Sequence, residues 1–107
     1  MNLVILTGRL TAEPELRYTP QNVACTSFNL AVDRTRKDDS ADFPTIVAWR
    51  ETAEFVCKYL HKGSKIVARG EIRTRNYNGQ DGKNHKVTEV YADRIEFADS
   101  KPQGTSA

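Results

Sequence analysis

From Asn2 to Thr11 the chain is β-branched and leucine-rich, and period-two alternation points Val4, Leu6 and Leu10 one way and Leu3 and Ile5 the other. A small barrel buries only its inner face, so the apolar outer face of this first strand predicts either a subunit interface through Leu3 and Ile5 or a covering loop of the same chain. Glu13-Pro14-Glu15 ends the strand, and Leu16-Arg17-Tyr18 is extended. Thr19-Pro20-Gln21-Asn22 is a turn in which Asn22 tolerates a positive φ. Val23 to Arg34 alternates again, with Thr26, Phe28, Leu30 and Val32 on one side and Ser27, Asn29, Ala31 and Asp33 on the other. Arg34 to Asp42 is polar apart from Ala41 and reads as a mobile surface loop. Phe43 to Arg50 makes the third strand and sets Phe43, Thr45, Val47 and Trp49 opposite Ile46 and Ala48.

The period then changes. Ala53, Val56, Cys57 and Leu60 recur as one helical stripe within Glu51 to His61. Glu51 and Glu54 suit the positive end of that helix, Lys58 and His61 suit the other, and Gly63 is placed to close it in a left-handed cap. Lys65 to Arg75 is a fourth strand with Ile66, Ala68, Gly70 and Ile72 inside and Arg69, Arg73 and Arg75 outside; Gly70 marks a bend in it. Tyr77 to Lys83 is a hairpin tip and His85 to Phe97 the last strand. Three strands, one helix and two strands fit neither alternating βα units nor a sandwich. The expected fold is mainly β, a five-stranded OB-fold barrel with one helix between the third and fourth strands. It occupies residues 1–98, and 99–107, polar with Pro102 and Gly104, form a short disordered C-terminal tail.

Composition sharpens this reading in three places. The 107 residues allow one domain, and no run approaches the roughly 18 apolar residues of a membrane span. The N-terminus lacks the pattern of a secretory leader, so a cytosolic protein is expected, with Cys25 and Cys57 as unpaired small core residues. The formal charge of +2 decides nothing by itself, but Lys62, Lys65, Arg69, Arg73 and Arg75 lie in one stretch with Glu71 as its only acid. Neither His61 nor His85 has a partner at suggestive spacing, and the carboxylates Asp38, Asp39 and Asp42 fall in the expected loop. A non-enzymatic protein without metal or cofactor is therefore expected.

The residues are also recognisable as a set. Val4-Ile5-Leu6-Thr7-Gly8-Arg9-Leu10, Pro14-Glu15-Leu16-Arg17-Tyr18-Thr19-Pro20 and Val47-Ala48-Trp49 leading into Ala53-Glu54 are joined by three later matches. These are Tyr59-Leu60-His61-Lys62-Gly63-Ser64, Gly70-Glu71-Ile72-Arg73-Thr74-Arg75, and Thr88-Glu89-Val90 with Ala92-Asp93. In this order they resemble the bacterial and phage single-stranded DNA-binding protein family from about Met1 to Phe97. The resemblance implies an OB-fold subunit of a homotetramer, cytoplasmic and nucleoid-associated, that coats single strands in replication, recombination or repair.

A protein that holds any single strand cannot read base edges, and needs flat aromatics for bases and cations for phosphates. By the resemblance, Trp49, Phe43 and Tyr77 fall where the family places stacking aromatics. Read without it, aromatics at strand spacing are more often core, yet Ile46 and Ala48 already supply an inward face. Arg73 and Arg75 are then candidates for phosphate contact, and Arg34, Arg36 and Lys37 for a mobile clamp. Two departures stand out. The loop carrying the clamp is short, with Arg36 where some members place a tryptophan. The chain also stops at Gln103-Gly104-Thr105-Ser106-Ala107, so acidic-tip recruitment of replication proteins is not expected. The competing function is an OB-fold protein-interaction module of a primosome-type complex.

Overall fold

Alternation along a strand becomes an inside and an outside once strands pair, and a computed structural model shows that pairing for residues 1–35 and 40–98. The elements run β1 (Val4–Leu10), β2 (Arg17–Tyr18), β3 (Ala24–Asp33), β4 (Ala41–Asp42), β5 (Thr45–Trp49), α1 (Arg50–Tyr59), β6 (Lys65–Asn78) and β7 (Asn84–Phe97). β1 lies antiparallel to β6, β6 to β7 and β5 to β3, while β5 and β7 are parallel. The path closes when β3 returns to β1 through Arg9 opposite Ala31 and Leu10 opposite Leu30. This mainly β ring of five strands with one helix between β5 and β6 is the arrangement expected of an OB fold. The two-residue β2 and β4 pair only with β3.

The inward residues form one core. Leu30, Ile46, Ala48, Ile66 and Ala68 from the strands meet Leu60 and the α1 residues Ala53 and Val56, and α1 packs against β3, β5 and β7. The ring closes because one wall can bend. The register of β6 on β7 shifts between Arg69 and Gly70, and a Cβ on Gly70 would lie 2.0 Å from the Tyr91 carbonyl oxygen. Only a residue without a side chain lets the strands approach so closely at the bulge.

Five local expectations are corrected by tertiary context. The helix ends at Tyr59, because Leu60 is fully buried and turns into the core with an extended φ of −106°. Gly63 therefore caps no helix; its φ of +89° serves the next turn, where its N–H donates to the Leu10 carbonyl at 2.8 Å. Glu13 ties the same turn down, accepting from the Lys62 backbone N–H at 2.7 Å and meeting His61 Nδ1 at 3.2 Å. Those contacts, the Lys62 N–H foremost, hold its carboxyl below the usual range. The third strand starts at Thr45 rather than Phe43, as Pro44 has no N–H to offer a ladder.

Ile72 is exposed rather than inside. β1 is already over at its level, and Asn2 brackets it instead, its side chain donating to the Ile72 carbonyl and accepting from the Ile72 N–H, both at 2.8 Å. The cysteines are half-buried rather than core. Cys25 faces outward opposite Trp49, and burial pushes the Cys57 thiol pKa up. No helix among the described residues is long and apolar enough to cross a membrane.

Gly70→Ala is expected to destabilise the protein by at least about 1–3 kcal/mol, because backbone rather than a flexible side chain meets the new methyl group. A denaturant midpoint unchanged from the parent would show that the bulge does not depend on this approach.

Candidate nucleic-acid interface

The residues that alternate with the core make up an outer row. Ile46 and Ala48 of β5 are fully buried, so Val47 and Trp49 point out, opposite Ser27 and Cys25 of β3. On β7, Val90 and Ala92 are buried, which turns Glu89 and Tyr91 outward, with Tyr91 beside Val47. β6 continues the row with Glu71, Arg73, Arg75 and Tyr77, opposite Tyr91, Glu89, Val87 and His85 in turn. β1 pairs β6 only as far as Gly70 and β5 pairs β7 only from Val90 to Ala92. The outer parts of β6 and β7 therefore leave the ring as a two-stranded arm, and the arm carries Arg73, Arg75 and Tyr77 on one face.

Trp49 sits where strand gives way to helix. It ends β5 and is the N-cap residue of α1, and the next residue, Arg50, takes a left-handed φ of +55°. That turn leaves the indole 37% exposed. A groove of about 200 Å³ runs from Trp49 over Cys25, Ser27 and Val47 to Arg75 and Glu89. Beyond it the Arg75 Cζ lies 6.0 Å from the centre of the Tyr77 ring, which is 46% exposed and stacks on His85 at 5.2 Å and 25°. On the other side the Arg73 Cζ lies 5.0 Å from the Tyr91 ring centre. Flat rings and flat guanidinium groups thus share one surface.

The structure brings Trp49, Tyr77, Arg73 and Arg75 together and leaves the other candidates elsewhere. Phe43 is 59% exposed but lies before β5, about 20 Å from Trp49 at the usual strand rise. Its neighbour Asp42 holds Arg34 at 3.1 Å, so these two candidates share the far end of the wall. Arg36 and Lys37 lie outside the described residues, as does the tail 99–107. Tyr91, His85 and Glu89 were missed by the sequence reading; reading the last strand by period two would have placed all three on the row of Tyr77. Leu3 and Ile5 project outward from the β1 end with more than half their surfaces exposed. No group of three or more metal-ligating side chains occurs among the described residues.

The arginines are not equivalent. Arg73 pairs with Glu71 in the open, the two side chains being 57% and 40% exposed. Arg75 donates from Nε and Nη2 to the two carboxylate oxygens of Glu89 at 3.1 and 3.2 Å, and the Glu89 side chain is only 8% exposed. That fork raises the Arg75 pKa further above its usual value.

Residues 1–98 match the model of the single-strand binding protein family. The chain is 49% identical to single-stranded DNA-binding protein 3 of Listeria innocua, an alignment that covers 97% of the chain and 68% of the relative. It is 49% identical to a single-stranded DNA-binding protein of Bacillus cereus, over 97% and 64% of the two chains. Against single-stranded DNA-binding protein A of Bacillus subtilis it is 46% identical, over 99% and 64%. The chain thus spans about two thirds of the length of these curated relatives.

The tip of the arm is held by Asp81, which accepts from the Lys83 N–H at 2.9 Å and meets His85 Nε2 at 3.2 Å. The Lys83 N–H first, and His85 second, hold its carboxyl below the usual range. A depressed carboxyl stabilises the fold above its unfolded pKa and loses that contribution as pH falls through the folded value. Protection of the Gly79 and Gly82 amides, corrected for intrinsic exchange, is therefore expected to fall as pH drops below about 4, the ordinary carboxylate range. In Asp81→Asn it should be low throughout; equal protection in variant and parent would remove Asp81 from this role.

Proposed function

The chain belongs to the single-strand binding protein family, and from that premise we propose that it binds single-stranded DNA without regard to sequence. It coats and protects exposed strands in replication, recombination or repair, as a cytoplasmic, nucleoid-associated binding protein and not an enzyme. One observation carries the reading: Trp49, Tyr77 and Tyr91 lie on one outward row with guanidinium groups between them. Unpaired bases offer π faces that a duplex hides in its stack, and every base offers one, so such a row accepts any sequence. Exposed ion pairs are worth about 0–1 kcal/mol, so Arg73 and Arg34 exchange their carboxylates for phosphates at little loss. The names of the relatives agree with this function.

The proposed working unit is a homo-oligomer, a homotetramer. Support comes from β1, where Leu3 and Ile5 face outward and, among the described residues, no strand pairs the edge of Val4–Thr7 that faces away from β6. Such an edge and face invite a second copy.

Trp49 is the only tryptophan, so its fluorescence reports on the groove directly. Oligo(dT) is expected to quench it, salt to weaken the quenching, and duplex DNA to leave it bright. Tyr77→Ala should cost roughly 1–3 kcal/mol of binding, the range for one stacked base. No quenching and no retention of single strands would make the protein-interaction module the better account. For the assembly, Leu3→Ser with Ile5→Glu should lower the mass found by sedimentation equilibrium; a parent that is already monomeric would end that part of the proposal.

A further inference from the structure

Arg75 stands in the groove as a side chain with a choice of tasks. A guanidinium in a strand-binding surface neutralises phosphate or offers its flat face to a base. The Arg75 head is fixed along one edge, Nε and Nη2 being spent on the two oxygens of Glu89. Glu89 is buried, its nearest basic contact is Arg75, and together they form a neutral pair in the groove. A phosphate brought to Arg75 would lie close to that carboxylate, which already sits 3.1–3.2 Å from the guanidinium, and the two anions would repel. The Arg75 side chain is 54% exposed and lies between the Trp49 side of the groove and the Tyr77 ring. The groove volume of about 200 Å³ is large enough for a base, and its lining sets Val47, Cys25 and Ser27 beside Arg17, whose own partner is the exposed Glu15.

Resting on the single-strand reading above, we propose that Glu89 is a positioning residue that holds Arg75 edge-on, so that its face receives a base between Trp49 and Tyr77 and no phosphate. Glu89 has no need to touch DNA. It fixes the orientation of Arg75 and cancels its charge, which turns a cation into a third flat platform. Cations with exposed partners, Arg73, Arg34 and Arg17, keep the phosphate role.

Two variants separate this from a phosphate clamp, using an oligo(dT) of about 8 nucleotides, within the span of one OB domain. Trp49 quenching is followed across a series of salt concentrations. Arg75→Lys keeps the charge and can still meet Glu89 but has no plane. It is expected to bind about 3- to 30-fold more weakly, with an unchanged salt slope. Glu89→Gln keeps the shape but frees the charge of Arg75, and the slope is expected to steepen by about 0.7, one further phosphate. A role confined to folding would lower the unfolding midpoint of Glu89→Gln and leave its slope alone. A lysine that binds as tightly as arginine, or an unchanged slope in folded Glu89→Gln, overturns the proposal. Should Glu89→Gln fail to fold, Arg75→Lys decides alone. Failure of the single-strand reading is distinct, since the parent protein itself would then show no quenching.

Discussion

Closure of a five-stranded sheet onto itself is the constraint from which the other features follow, and closure depends on two strands approaching more closely than side chains permit. At Gly70 the β6 wall meets the Tyr91 carbonyl across a register shift. At Gly8, where β1 turns toward β3, a Cβ would lie 2.3 Å from the Ala31 carbonyl oxygen. With the bend in place the ring has a single interior, and Leu30, Ile46, Ile66 and the α1 stripe are enough to fill it. The bend also sends the far halves of β6 and β7 out of the ring. Each is 14 residues long, or about 46 Å at the usual rise, against a longest molecular dimension of 51 Å. The arm is thus the surplus length of strands whose first halves are committed to the ring.

A ring with one interior has an outer row on every strand, and the chemistry of that row is free of the demands of the core. Most β proteins make it polar. Here β5, β6 and β7 contribute Trp49, Tyr77 and Tyr91 to it, with arginines interleaved. Trp49 gains its exposure from position: as the last strand residue and the N-cap of α1 it stands at a corner, and the left-handed Arg50 turns the chain away beneath it. The arm is a hairpin of marginal intrinsic stability, and its order comes from pairs on the same face, Tyr77 on His85 and Arg75 on Glu89. The residues proposed to bind are thereby also the residues that hold the arm in shape.

Period-two alternation was enough to separate the core from the outer row on β3 and β5, which pair with strands on both sides and pack on α1, and on β1, which pairs β6 from Val4 to Arg9. It placed Trp49 outward against the ordinary tendency of tryptophan to be covered, since Ile46 and Ala48 had already claimed the inside. Asn22 takes the expected positive φ, +64°, and Gly70 the expected bend. What local pattern could not supply was where neighbouring strands stop. Ile72 continues an inward series, yet lies beyond the end of β1, and Gly63 has the right spacing for a cap but loses it when Leu60 is drawn into the core. Glu89 is the least legible of all. A carboxylate in a polar strand reads as solvated, and only the position of Arg75 across the arm explains how it can be buried.

Burial of Glu89 also separates two uses of the same residue type two positions apart. In the open, the Arg73–Glu71 pair is screened by water and ions, and the exchange of one anion for another changes little. At Glu89, removing Arg75 would leave a buried carboxylate without its ion-pair partner, which is far more costly than breaking an exposed pair. Exchangeable pairs suit phosphates, whose spacing along a flexible strand is variable. A fixed pair suits a base, because stacking rewards a plane that is already oriented. A surface that must hold every sequence alike needs both, and alternation along β6 puts them on one face, with Glu71 and Glu89 setting which arginine is free to change partners.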